Sequence, residues 1–242
     1  VSADLIVYAL VAAGLVFWLR SILGTRHGEE RQRDNPLLRE KTDGAGDSAA
    51  VSLDGEREMT AEERVRKLAE IKEGKVTIEN KNAEAGLVDI ARADREFDVN
   101  FFMTGAQDAF VIIVESFAAG DRETLKELLG SSVYNAFEGA ITAREGRNEK
   151  QETQIRAIRK AEAIEARVSG RTVYVTIRFT AEETSVTRDI SGEIVEGNPE
   201  RVTAMKDIWT FSRDLKSRDP RWVVMETRGD FEDDNKILPN AI

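Results

Sequence analysis

Ile164-Glu165-Ala166-Arg167-Val168, the turn pair Gly170-Arg171, and Val173-Tyr174-Val175-Thr176-Ile177-Arg178-Phe179-Thr180 form the stretch that decides the fold. Ile164, Ala166 and Val168 alternate with charged residues, and Val173, Val175, Ile177 and Phe179 alternate with Tyr174, Thr176, Arg178 and Thr180. Successive side chains of a strand point to opposite faces, so this two-residue period predicts a hairpin with one buried face. Downstream, Gly197-Asn198-Pro199 marks a second turn, and two more strands are expected around Val202 to Arg213 and Arg221 to Thr227, separated at Asp219-Pro220.

Upstream of about Gln151 the period lengthens. Phe102, Ala106, Phe110, Ile113 and Phe117 recur at helical spacing within 101–118, the stripe of an amphipathic helix. Gly120 fits its stop and Asp121 the cap of the next helix, which carries Leu125, Leu128 and Leu129. Ser131 or Ser132 opens a third, with Val133, Phe137, Ala140, Ile141 and Arg144 on one face. Helices first and antiparallel strands second define an α+β layer fold, with helices covering one face of the sheet. This domain is expected over residues 97–230, with residues 231–242 as an acidic tail.

Before the domain, Thr60 and Glu63 have capping-box spacing and open a helix with Val65, Leu68 and Ile71 on one side, ending near Gly74. A second short helix is expected from Glu84 to Ala93. Residues 60–96 therefore read as an amphipathic helical segment, docked either on the edge of the domain or on a partner protein; periodicity does not separate the two. Residues 24–59 are rich in Arg, Glu, Asp and Gly, with too few large apolar side chains to offset the entropy of ordering, and read as a charged flexible linker.

The N-terminal run Leu5-Ile6-Val7-Tyr8-Ala9-Leu10-Val11-Ala12-Ala13-Gly14-Leu15-Val16-Phe17-Trp18-Leu19 is uncharged. As a helix it rises about 22 Å, and continuing through Arg20 to Leu23 brings it to about 28 Å, close to the ~30 Å of a hydrocarbon core if Arg20 extends to the interface. No basic residue precedes the run and no small-x-small site follows it, so residues 5–23 read as an uncleaved transmembrane anchor. Arg20, Arg26, Arg31 and Arg33 follow the span and only Asp4 is charged before it, which predicts a cytoplasmic C-terminal domain.

Composition excludes several chemistries. The 242 residues hold 35 Lys+Arg against 45 Asp+Glu, a formal net charge of −10, which argues against nucleic acid as a partner. There is no cysteine, and His27 is the one histidine, so thiolate metal sites, cysteine nucleophiles and His-based triads are out. Glu62-Glu63, Glu182-Glu183 and Glu232-Asp233-Asp234 are paired acids, read as solvated charge. No phosphate loop, nucleophile elbow or zinc signature occurs, and no catalytic residue, metal site or cofactor is expected. Arg156, Arg159, Lys160, Arg167, Arg171 and Arg178 concentrate positive charge at the start of the sheet. They read as ordinary sheet surface, or else as a basic patch for anionic lipid or an acidic partner.

Phe97-Asp98, Phe101, Gly105-Ala106, Ala109-Phe110, Ile113-Val114, Phe117-Ala118-Ala119-Gly120-Asp121, Leu125-Lys126, Leu128-Leu129 and Val133-Tyr134 resemble the Tim44-like domain family. So do Asp207-Ile208-Trp209-Thr210-Phe211-Ser212-Arg213-Asp214 and Pro220-Arg221-Trp222-Val223-Val224. The order of anchor, charged linker and domain is similar to that of the alphaproteobacterial TimA adaptors. The resemblance implies N-terminal helices packed on a curved antiparallel sheet of cystatin-like or nuclear-transport-factor-like architecture, with an apolar pocket. Phe137, Ile141, Tyr174, Trp209, Phe211 and Trp222 are the candidate lining; on the residues alone Trp209, Phe211 and Trp222 read as core. The resemblance also implies a bacterial inner-membrane adaptor holding a protein partner, such as a DnaK-type chaperone or a translocase component, beside membrane lipid, with a homo-oligomer as a further expectation. The alternative function is a membrane-anchored domain that binds, or acts on, a small apolar ligand.

Overall fold

A computed structural model describes residues 59–217, 219 and 221–230. The expected anchor, the linker up to residue 58 and the acidic tail lie outside the described residues. In chain order the elements are α1 (Ala61–Glu70), β1 (Val76–Ile78), α2 (Lys81–Ala93), α3 (Val99–Ala119), α4 (Arg122–Leu128), α5 (Ser131–Gly146), β2 (Lys150–Ser169), β3 (Thr172–Arg188), β4 (Ile194–Gly197), β5 (Thr203–Asp214) and β6 (Val223–Gly229). Five helices pack against a six-stranded, mostly antiparallel sheet of order β1-β2-β3-β5-β6, with β4 paired to β3 off that path.

The expected hairpin forms at Gly170-Arg171, but both arms are longer than the period shows. β2 begins at Lys150, and its first half, Lys150 to Lys160, is charged and alternates between exposed and half-buried. Its register against β3 shifts at Ile155/Ala157, Ile158/Lys160 and Ala163/Glu165. Each such irregularity bends and twists the bulged strand, which lets β2 curve around the helices. Val173, Val175, Ile177, Phe179 and Ala181 of β3 are all buried. They pair with Arg213, Phe211, Trp209, Asp207 and Met205 of β5, which places those residues on the same, helix-covered face.

α3 is the central helix, burying Val99, Phe102, Met103, Ala106, Phe110, Ile113, Val114, Phe117 and Ala118. Asp98 caps its start through bonds from the backbone N–H of Asn100 and Phe101, and Gly120 ends it in the left-handed region at φ 73°. Among the described residues α3 is long and apolar enough to cross a membrane by length and composition, yet its apolar stripe is buried in the domain core. Arg144 of α5 is 7% exposed and donates to the carbonyl oxygens of Phe117 (2.8 Å) and Ala118 (2.9 Å). A buried guanidinium thus satisfies orphan carbonyls in the last turn of α3. The cap of α5 differs from expectation: it is Gly130, without a side-chain bond, because the Gly130 N–H donates to the Val224 carbonyl and ties the helix start to β6.

The capping box at Thr60 is present, with Glu63 N–H donating to Thr60 Oγ1 (3.2 Å) and Thr60 N–H to Glu63 Oε2 (2.8 Å). The helix stops at Glu70 rather than near Gly74, leaving Ile71 exposed, because Val76-Thr77-Ile78 is a strand that joins β2 in parallel. α1, β1 and α2 share one hydrophobic core with the rest of the domain, including Val65, Leu68, Ile78, Leu87 and Ile90. These helices are docked on their own domain, and the described residues from Thr60 onward cluster as one compact unit.

Candidate functional site

The six residues expected to line a pocket are not brought together. Phe137, Ile141 and Trp209 are fully buried, and Phe211 is nearly so. Phe110 stacks on Phe179 with ring centroids 4.5 Å apart and lies 4.8 Å from Trp209, so aromatic packing fills the interior between α3 and the sheet. Tyr174 belongs to the opposite sheet face, where the Arg167 guanidinium lies 3.9 Å from its ring centroid. Trp222 is partly buried at one end, 4.5 Å from Phe102 and under Arg213 at 5.3 Å. Four of the six are therefore core, and the other two flank it in different places.

The expected basic patch is largely neutralised, partly by acids two residues away on the same strand and partly by acids distant in sequence. Arg159 pairs with Glu182 (2.7 Å), Lys160 with Glu162 (2.6 Å), Arg167 with Glu165 (3.6 Å) and Arg171 with Asp214 (2.9 Å). Arg178 pairs with Glu79, just after β1, and with Asp230 (2.9 Å), just after β6. Hydrogen bonding to Arg178 holds the Glu79 carboxyl below the usual carboxylate range. Arg156 alone of the group carries no ion pair among the described residues.

The acidic pairs correct a second expectation. Glu182 is at the surface with Arg159, but Glu183 is 2% exposed. It pairs with Thr203 across β3 and β5, on the face that carries Ala181 and Phe179. Asp207, opposite Phe179, is also buried, and among the described residues neither Glu183 Oε2, Asp207 Oδ2 nor the Trp209 indole N–H has a hydrogen-bond partner. Burial pushes the Glu183 carboxyl up to about 7. Burial first, then the Glu183 and Asp230 charges, push Asp207 to about 7 as well. The sequence signal for Asp207 was its place between Met205 and Trp209 in an alternating strand; for Glu183 it was parity with Ala181.

A small polar cavity of about 160 Å³ lies at the end of α2, lined by Ala93, Asp94, Glu96, Arg213, Asp214, Leu215 and Ser217. Arg213 and Asp94 form an ion pair across it, each 17% exposed. This pair ties the end of α2 to β5, while Asp214 of the lining pairs with Arg171. Among the described residues no cluster of His, Cys, Asp or Glu has a metal-holding arrangement.

The surface offers a different feature. Ile190, Ile194, Val195 and Val202 are exposed aliphatic residues around β4, whose four residues are all exposed. Sequence reading placed only the turn at Gly197-Asn198-Pro199 there, since Ile194-Val195 is too short to show a period.

Comparison with known proteins places residues 83–229 under the model of the Tim44-like domain. Two curated relatives are the mitochondrial import inner membrane translocase subunit TIM44 of Homo sapiens, 24% identical over 135 residues, and that of Rattus norvegicus, 23% identical over 135 residues. Each match covers 55% of this chain and 30% of the relative, so the chain spans under a third of the length of these proteins. Among solved structures, the intermembrane space region of chloroplast protein ARC6 is similar at 15% identity and a TM-score of 0.37, covering 52% of this chain and 95% of that one.

Proposed function

We infer the function from the premise that this chain belongs to the Tim44-like domain family, whose model spans most of the described domain: it is a protein-binding adaptor, with no catalytic role. That family match is the observation that carries the reading. The interior supports it, because the space where a ligand would sit is filled by Phe110, Phe137, Phe179 and Trp209. The curated relatives are named as subunits of an inner-membrane translocase, and by analogy the partner is a translocase component or a DnaK-type chaperone.

The adaptor is anchored in a bacterial inner membrane through residues 5–23, with the domain at the cytoplasmic face. The uncharged run from Leu5 to Leu19 and the arginines that follow it support this placement. Anchoring acts by raising the local concentration of the domain beside the bilayer, so that a modest affinity suffices. Affinity purification of the full chain from detergent extracts is expected to recover a chaperone or a factor of membrane-protein biogenesis. Recovery of the bait alone, or fractionation of the chain away from membranes, contradicts the reading.

A further inference from the structure

Eight large hydrophobic side chains are exposed among the described residues, and four of them crowd into the excursion between β3 and β5: Ile190 (85% exposed), Ile194 (46%), Val195 (52%) and Val202 (51%). The excursion has a defined shape. Asp189 Oδ1 accepts from the backbone N–H of Ser191 (2.8 Å) and Glu193 (3.0 Å), and Arg188 donates to the Gly192 carbonyl (3.1 Å). Gly197, at φ 80°, lies so close to the Ser185 carbonyl that a side chain would not fit, which seats β4 closely on β3, with a register shift between Thr187 and Arg188.

β4 pairs with β3 along one edge, Val186 to Gly197, Thr187 to Glu196 and Arg188 to Ile194, and its other edge meets no strand among the described residues. Free edges are normally blunted by lysine or by proline within the strand, because unpaired N–H and C=O groups template further pairing. Here the strand reads Ile194-Val195-Glu196-Gly197, and Pro199 comes only after it. The charges of the excursion are Asp189, Glu193, Glu196 and Glu200 against Arg188 and Arg201, an acidic surplus.

We propose that the free edge of β4 is a docking strand for an extended segment of a partner protein, one that carries aliphatic side chains flanked by lysine or arginine. Strand addition gives ladder hydrogen bonds, the exposed Ile194 and Val195 give apolar contact, and the acidic rim selects a basic segment. A second copy of this chain fits worse, since it brings one acidic rim against another. An anionic bilayer meets the same repulsion. The edge is four residues long, so the contact is transient and depends on the tether for occupancy. The inference rests on the adaptor reading in one respect, that the partner is a protein.

The probe is a synthetic peptide of alternating lysine and valine, with a glutamate-valine peptide as its counterpart, titrated into the full chain at low salt. The basic peptide is expected to bind and to slow amide hydrogen exchange at residues 194–197. Val195→Lys, which puts a cation at an exposed position of the edge and reduces the acidic surplus, should weaken binding about tenfold or more without lowering Tm. Val195→Pro, which removes a backbone N–H from the strand, should weaken it likewise. Equal binding of the acidic peptide, unchanged binding by both variants, or protection confined to other residues overturns the proposal. So does slowed exchange at 194–197 without peptide in phosphatidylglycerol nanodiscs but not in phosphatidylcholine ones, which assigns the edge to lipid. Self-association abolished by Val195→Lys assigns it to a second copy and overturns it too. If the Val195→Lys chain still recovers the cellular partner, the docking strand fails and the adaptor reading stands. If no partner is recovered but the peptide maps to β4, the adaptor reading fails alone.

Discussion

The double variant Glu183→Gln, Asp207→Asn is expected to be more stable than the parent by about 2 kcal/mol or more at pH 8, and by close to nothing near pH 4. Both carboxyls sit on the helix-covered face of the sheet with no cation beside them among the described residues, and both are pushed up to about 7 from ordinary values of 4.5 and 3.8. Proton counting gives the sign. Between the ordinary values and about 7 the folded chain holds more protons than the unfolded one, so stability falls as pH rises through that window. Below it both states are protonated and the penalty is absent. Above it the penalty is fully present, up to about 3–4 kcal/mol per residue, because each tenfold change in proton affinity between the two states is worth about 1.4 kcal/mol. Carboxyls held low by arginines, such as Glu145 by Arg122, give the opposite trend at acid pH. Comparing variant with parent cancels them. Chemical denaturation from pH 4 to 8 reads the difference, and parallel curves for the two proteins would contradict the assignment.

Gly86→Ala is expected to lose about 2–3 kcal/mol or more, although alanine is the better helix former by about 1 kcal/mol. Gly86 is the point where α2 lies against β2: a Cβ there would be driven into the Ala166 carbonyl oxygen and would sit 2.5 Å from its carbonyl carbon. The obstacle is the backbone of a sheet strand, so relief requires α2 to lift off β2 and draw its own Leu87 and Ile90 out of the core they fill. Gly105→Ala in α3 is the matched control, since nothing lies within 4 Å of its added Cβ, and it should gain about 0.5–1 kcal/mol. Urea midpoints for the pair separate sterics from propensity. A Gly86→Ala protein as stable as the parent would mean that α2 rides higher on β2 than the structure places it.

Much of this architecture is legible in the amino-acid order because the decisive segments are strongly periodic. The alternation across Val173 to Phe179 and the stripe from Phe102 to Phe117 carry into β3 and α3 with little change, and Gly120 ends α3 as its type requires. What escapes reading is what lacks a period or depends on distant partners. β1 has three residues, too few for alternation, and exists because β2 offers a parallel edge. The first half of β2 has only Ile155, Ala157 and Ile158 as half-buried apolar residues, and its register shifts break their alternation, so pairing with β3 rather than periodicity marks it as a strand. The basic residues of β2 and β3 look like a patch until Glu79 and Asp230, far off in sequence, arrive beside Arg178. Glu183 reads as surface charge beside Glu182, because a one-residue change of face is invisible in a run of two glutamates. The residues assigned to a pocket lie apart for a packing reason: Phe137 meets Phe117, Trp209 meets Phe110, Trp222 meets Phe102, and Tyr174 stands on the opposite sheet face.

Whether this domain holds a protein partner beside a membrane is tested most directly by photocrosslinking in intact membranes, from probes placed singly at exposed positions of the domain, followed by mass spectrometry. Crosslinks are expected to concentrate on one chaperone or translocase component and to be strongest from positions around β4. Crosslinks only to lipid, or spread evenly over abundant proteins from every position, would contradict the adaptor role.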